Sequence, residues 1–354
     1  MKERVVVAMS GGVDSSVAAA LLKNKGYEVI GITMCFNLSD FNSKNPSCCG
    51  IQGIEDARRV AHKLGIKHYV LNMQKVLQEQ VIKDFCFEYL HGRTPNPCVR
   101  CNQYLKFGCL LQKALSLDAR FLATGHYARI TSKHGFLLKK GKDNFKDQSY
   151  FLYRLGQEQL KHILFPLGAF TKAQVRELAK SFNLAVADKL GSQEICFLAN
   201  TNYREFLRLR VHSKIKAGII VDRKGKILGE HKGIAFYTIG QREGLGIAKG
   251  YPLYINKIDY IKNQIIVGTK EDSLKKEFIV GGLNFVQNPI KKKIVLKVKI
   301  RYNHKEARAK LSPVKDKLRV EFDKAQFAIT PGQSAVFYDK DTVLGGGIIE
   351  RVLN

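Results

Sequence analysis

The chain is predicted to be an α/β protein: an N-terminal doubly wound parallel sheet followed by two small β-rich domains, the last a β-barrel. Three observations carry this. Residues 5–22 run from the apolar Val5-Val6-Val7-Ala8 through Ser10-Gly11-Gly12 into Val17-Ala18-Ala19-Ala20-Leu21-Leu22, the order of buried strand, tight turn and helix. Strand and helix patterns then alternate to about residue 200, the rhythm of βαβ units. From Gly218 onward the texture changes to short β runs between glycine turns.

Taken in order, the first helix leads to a strand over 28–34 and a loop rich in Asn, Ser and Cys over 37–50. A helix over 54–64, a strand over 68–71 and a long helix over 74–90 follow. A helix over 104–116 leads into a strand over 120–123, which ends in Thr124-Gly125-His126-Tyr127. Ligands of a doubly wound sheet sit beyond the strand C-termini, where the 10–16 turn, Met34 and Gly125–His126 all fall. The β-rich part offers runs over 218–221, 235–238, 252–259 and 264–267, then over 293–302, 318–322 and 334–338. The expected domains are 1–200, 201–280 and 281–354. Gly244, Gly246 and Gly250 lie in a β region, so they read as turns and not as a dinucleotide fingerprint.

Composition narrows the function. A chain of 354 residues, 45% hydrophobic, exceeds what one core usually holds. It has no apolar run near the ~20 residues of a membrane span, and Met1-Lys2-Glu3-Arg4 enters a strand without a leader. A cytoplasmic protein with no membrane partner is expected. Basic residues outnumber acidic ones 28 to 16 over 1–200 and 31 to 15 over 201–354, a net charge of +28. An excess spread across all domains suits a large polyanion, nucleic acid first. Eight cysteines in such a chain are not a disulfide framework.

Ser10-Gly11-Gly12-Val13-Asp14-Ser15-Ser16 has the parts of an anion site. Its glycines let backbone amides approach closely, its hydroxyls add donors, and a helix N-terminus follows. It lacks the spacing and the lysine of a Walker loop. Thr94-Pro95-Asn96-Pro97-Cys98-Val99-Arg100-Cys101-Asn102 reads as a rigid, non-helical turn segment, because of its two prolines. It sets two thiols three residues apart between Arg93 and Arg100, cations that would lower their pKa. A further thiol, Cys196, lies in Ser192-Gln193-Glu194-Ile195-Cys196-Phe197.

Six segments in order resemble the tRNA-specific 2-thiouridylases, the MnmA/TrmU family of the PP-loop ATP pyrophosphatases. They are SGGVDSS at 10–16, GRTPNPCVRCN at 92–102, ATGHYAR at 123–129, KDQSYFL at 146–152, SQEICF at 192–197 and FYTIGQREGLGI at 236–247. The resemblance spans nearly the whole chain and implies an adenine nucleotide α hydrolase-like first domain. It also implies an ATP-dependent, AMP-forming sulfurtransferase, which adenylates the C2 oxygen of the wobble uridine and replaces it with sulfur to give 2-thiouridine. By the same resemblance ATP, with Mg2+, would lie on Ala8, Met9, Ser10, Gly11, Gly12, Val13, Asp14, Ser15, Met34 and Gly125. Cys196 would carry a persulfide received from a sulfur-carrier protein or a cysteine desulfurase. Cys101 would attack it as nucleophile, leaving a Cys101–Cys196 disulfide. Asn96, Pro97 and Cys98 would line the target base, and His126, Lys146, Asp147, Gln148, Arg301, Tyr302 and Gln333 would touch the tRNA. The enzyme would act as a monomer.

One position departs from the family pattern. Cys98 stands where many members carry Asp, a candidate general base. Cys98, Cys101 and Cys196 therefore leave a second reading open, three thiolates on an iron–sulfur cluster, and a third, a zinc site lacking its fourth ligand. Two other functions compete: a PP-loop ligase that displaces AMP with an amine, and a non-catalytic RNA-binding protein. The first has no use for the cysteines, and the second has none for an intact Ser-Gly-Gly-Val-Asp-Ser loop.

Overall fold

The computed structural model describes residues 2–36, 51–189, 195–198 and 201–353. Cys48, Cys49 and residues 192–194 of the SQEICF segment lie outside them. Strand β1 (Arg4–Ala8) carries three fully buried valines, Val5, Val6 and Val7, whose branched side chains suit a central strand. β2 (Glu28–Cys35) and β3 (Lys67–Asn72) pair on one side of it and β4 (Phe121–Ala123) on the other, all parallel. β5 (Ala128–Ser132) and β6 (Phe136–Lys140) form a hairpin that leaves this sheet. β7 (Ile163–Leu164) completes the order β3-β2-β1-β4-β7. Strand order reverses between β1 and β4, so the crevice beyond their C-terminal ends is the switch point. The expected doubly wound parallel sheet is present.

Helices α1 (Val13–Asn24) and α2 (Ile51–Leu64) follow β1 and precede β3, and further helical runs cover 74–90 and 97–115. The last corrects an expectation. Pro97 does not break the helix, because it stands in the first turn, where its missing N–H costs nothing. Asn96 caps the helix, its Oδ1 accepting from Val99 N at 3.3 Å. Cys98 and Cys101 thus ride a helix and not a loop. From Cys101 to Leu110 the hydrogen bonding is of the wider i→i+5 kind, which recurs at functional sites.

The second domain is a four-stranded sheet of β8 (Gly218–Asp222), β9 (Ile227–His231), β10 (Tyr254–Asp259) and β11 (Gln264–Gly268), in the order β10-β11-β8-β9. The expected run over 235–238 is instead a single 3-10 turn, Ile234–Phe236. The third domain comprises β12 (Leu274–Phe285), β13 (Ile294–Lys299), β14 (Ala307–Val314), β15 (Lys317–Phe327), β16 (Ser334–Asp339) and β17 (Thr342–Val352). Their order is β12-β15-β14-β13-β16-β17, and β12 also pairs with β17, which closes a six-stranded barrel around Phe278, Leu311, Phe322 and Phe337. Residues 280 and 281 lie inside β12, so the barrel begins at Leu274, ahead of the expected division.

The β5–β6 hairpin was not foreseen as a link. β6 pairs with β17 (Val343 opposite Leu138), so a piece of the first domain extends the barrel sheet. The barrel also grips the segment ahead of the thiols. Thr94 N donates to Pro331 O at 2.9 Å, and Gln333 Nε2 donates to Thr94 O at 2.9 Å and Pro95 O at 3.1 Å. Among the described residues no helix is long and apolar enough to cross a membrane.

Candidate active site

The turn after β1 is held open by its own hydroxyls. Ser10 N donates to Ser15 Oγ at 3.1 Å, while Ser15 Oγ and Ser16 Oγ donate to Gly12 O at 3.2 and 2.8 Å. Gly11 has φ +71, and a Cβ there would stand 2.2 Å from Gly53 O of α2. Only glycine satisfies both the dihedral and the contact. Gly125, at the end of β4, lies so close to α1 that a Cβ would meet Asp14 C at 2.8 Å and Ser15 N at 2.9 Å. The chain therefore crosses directly over the helix N-terminus, where an anion is favoured. Met9 and Val13 are 1% and 3% exposed, so they can offer a nucleotide only their backbone.

Two lysines reach the loop from later in the chain. Lys172 Nζ is 2.6 Å from Asp14 Oδ1, which also accepts from Tyr127 OH at 2.7 Å. Lys189 Nζ donates to Gly11 O at 3.2 Å and pairs with Asp56 Oδ2 at 2.6 Å. Burial would raise the Asp56 pKa, yet Lys189, Arg59 and Gln52 together hold it below the usual carboxylate value. Sequence reasoning missed Lys172 and Lys189, more than 150 residues from the loop they serve.

Cys98 and Cys101 stand in the first turns of the 97–115 helix, and the charge of Cys196 bears on both. Three of the expected residues therefore lie within electrostatic reach of one another. Their environment corrects the expectation of lowered thiol pKa values. Burial pushes Cys98 up to about 12 and Cys101 up to about 11. The two arginines are engaged elsewhere: Arg93 Nε pairs with Glu88 at 2.6 Å and Arg100 Nη2 with Asp84 at 3.1 Å. The cation acting on both thiols is Lys106, which partly offsets the burial. Lys106 follows Cys101 by five residues, a spacing that would diverge by about 140° in an α-helix and by far less where hydrogen bonds run i→i+5. Among the described residues no three His, Cys, Asp or Glu side chains are arranged to hold a metal, so the cluster and zinc readings of Cys98, Cys101 and Cys196 gain no support.

His126 follows Gly125, which lies against Asp14 and Ser15, but it is itself only 8% exposed. Its Nδ1 shares a 2.6 Å hydrogen bond with Thr124 Oγ1, and its ring rests near Phe107 and Phe165. Burial first, then Lys106, depresses its pKa well below the ordinary value, so it is neutral. Asp147 is also buried, accepting from Gly141 N, Ser149 N and Ser149 Oγ at 2.9–3.1 Å. Arg301 donates through Nη2 to Ile239 O at 2.9 Å, Ala328 O at 3.0 Å and Thr330 Oγ1. His126 and Asp147, both expected to touch tRNA, are thus buried, while Arg301 and Gln333, expected to do the same, are half-buried and bonded to neighbouring connections. Gln148 accepts from Tyr127 N at 3.0 Å. Tyr302 is half-buried, its ring 4.5 Å from Phe151 and under Lys299, and the charge of Cys98 bears on it. Lys146 is exposed. Tyr127, Tyr150 and Tyr153 are core residues.

Comparison with known proteins places this geometry in a family. A model described as "tRNA methyl transferase HUP domain" matches residues 3–200. One described as "tRNA methyl transferase PRC-barrel domain" matches 204–269, and an "Aminomethyltransferase beta-barrel domain" matches 275–349. Curated relatives match end to end. The tRNA-specific 2-thiouridylase MnmA of Halothermothrix orenii is 51% identical over 99% of both chains, and that of Acetivibrio thermocellus is the same. A Caldanaerobacter subterraneus subsp. tengcongensis enzyme of that name is 52% identical over 98% of each. The family models are described by methyl transfer and the full-length relatives by thiolation, and a chain with three thiols within electrostatic reach of one another suits the latter. The chain belongs to the tRNA-specific 2-thiouridylase family.

Proposed function

We propose that this protein converts the wobble uridine of tRNA to 2-thiouridine, using ATP and releasing AMP and pyrophosphate. The observation that carries it is the glycine turn at the β1/β4 switch point, in the same fold as three thiols, Cys98, Cys101 and Cys196, that lie within electrostatic reach of one another. The backbone from Ala8 to Ser15 and Gly125 would bind the triphosphate, with Met34 at the neighbouring strand end. Lys172 and Lys189 would move from their carboxylates to the departing pyrophosphate. Mg2+ bound with ATP would neutralise phosphate charge, and the Asp14 carboxylate is the oxygen donor on the loop.

The uridine C2 oxygen attacks the α-phosphorus and pyrophosphate leaves, so that oxygen becomes part of a leaving group. Cys196 carries a persulfide. Cys101 thiolate attacks the inner sulfur of this persulfide, Cys196 Sγ, so that the Sγ–S bond breaks, the outer sulfur leaves as hydrosulfide and a Cys101–Cys196 disulfide remains. Hydrosulfide adds at C2, AMP leaves with the former C2 oxygen, and one proton is released. Two electrons from an external thiol then reduce the disulfide. Asn96, Pro97 and Cys98 would line the base at the helix N-terminus, with Lys106 as the nearby cation and Tyr302 on the opposite wall. Cys98, with a raised pKa, is a poor replacement for a carboxylate base. A persulfide-bearing carrier protein or a cysteine desulfurase would supply the sulfur. Loop, thiols and barrel come from one chain, which supports a monomer, and tRNA as substrate supports a cytoplasmic site.

Pyrophosphate release from ATP with tRNA and a persulfide donor tests this reading. Asp14→Ala is expected to abolish release while tRNA still binds; undiminished release would refute the assignment of the loop.

A further inference from the structure

Phe145 is the most exposed large apolar side chain among the described residues, at 94%. Single exposed apolar residues are common, but this one is held in place. The Asp143 carboxylate accepts from Phe145 N at 3.0 Å and Lys146 N at 3.2 Å, and its other oxygen accepts from Lys172 N at 2.9 Å. On one side Lys142 N donates to Gly168 O at 2.9 Å; on the other, buried Asp147 ties the chain back to Gly141. The turn is therefore rigid and presents its ring to solvent between two exposed lysines, Lys142 and Lys146. It is joined through Lys172 to Asp14 of the nucleotide loop, so it stands on the active-site side of the first domain.

An aromatic face flanked by cations matches single-stranded nucleic acid: the ring stacks on a base and the lysines meet the adjoining phosphates. One ring amid Lys, Asn and Asp offers too little apolar area for a stable protein interface. We propose that Phe145 is a stacking platform for an unpaired base of the bound tRNA, with Lys142 and Lys146 on the neighbouring phosphates. This rests on the tRNA reading above and adds a contact outside the thiol pocket.

The chain contains no tryptophan, so Phe145→Trp places a single fluorophore at the platform. Its emission is expected to be quenched saturably by tRNA, at the dissociation constant that filter binding gives for the same protein. A fully paired RNA duplex should leave it nearly unchanged. Phe145→Ala and Phe145→Leu should weaken tRNA binding by about five- to a hundredfold, and Phe145→Tyr by less than about twofold. The ring has no charge, so Phe145→Ala should leave the salt dependence of binding unchanged, whereas Lys146→Ala should reduce its log–log slope by about one contact. Wild-type affinity in Phe145→Ala with unquenched emission in Phe145→Trp would overturn the platform while leaving the tRNA reading intact. Failure of the wild-type protein to bind tRNA at low salt would overturn both.

Discussion

Replacing Arg301 separates a brace from a phosphate contact. Its guanidinium bonds three acceptors on two connections, Ile239 O, Ala328 O and Thr330 Oγ1. In Arg301→Ala, Ala328 O keeps the Thr330 hydroxyl at 2.8 Å, so Ile239 O is the carbonyl stripped of this donor. One stripped buried carbonyl costs about 1–3 kcal/mol, and the lost aliphatic stem adds about 1 kcal/mol. A loss of about 2–4 kcal/mol follows, or a melting temperature lower by about 3–5 °C for a 354-residue chain unfolding as one unit. The assay pairs thermal unfolding with tRNA affinity measured across a salt series. The brace predicts a clear drop in melting temperature and an unchanged salt slope. An unchanged melting temperature, with a slope reduced by about one contact, would refute it.

Gly11→Ala should abolish ATP binding and cost more than about 1–2 kcal/mol, the left-handed penalty alone, because its Cβ would stand 2.2 Å from Gly53 O; nucleotide titration and thermal unfolding check it. With its pKa near 11, Cys101 is protonated at neutral pH, and roughly one molecule in ten thousand carries the thiolate at pH 7. Its alkylation by iodoacetamide, read by peptide mass, should rise about tenfold per pH unit between pH 7 and 10. Lys106→Met should shift that profile to higher pH and Lys106→Arg should restore it, since Cys98, Cys196 and the neutral His126 offer no other cation; superimposable profiles would remove Lys106 from the account.

The fold was legible because its signals are local. Buried valines in β1, the glycine turn and the alternation through β4 each declare themselves within a few residues. What could not be read depends on long-range packing. The β5–β6 hairpin carries ordinary residues and joins the barrel only because Val343 and Thr342 lie 200 residues on. The thiol pair was visible as a pattern, yet its pKa followed from burial, and its nearest arginines turned to Glu88 and Asp84. His126, Asp147, Arg301 and Gln333 have the chemistry of RNA contacts, and only the structure shows the hydrogen bonds that each makes within the protein. Lys172 and Lys189 had no signal at all, since nothing near either lysine marks the loop it meets.

The central claim is that Cys101 and Cys196 carry sulfur to a uridine activated by ATP. It is tested most directly in a single turnover without reductant. Protein loaded with persulfide at Cys196 is mixed anaerobically with ATP and tRNA, and tRNA nucleosides and protein peptides are analysed by mass. The account predicts one 2-thiouridine, one AMP and one Cys101–Cys196 disulfide per enzyme, and no 2-thiouridine in Cys101→Ser or Cys196→Ser. Full thiolation by either variant, or 2-thiouridine formed while both thiols remain reduced, would contradict it.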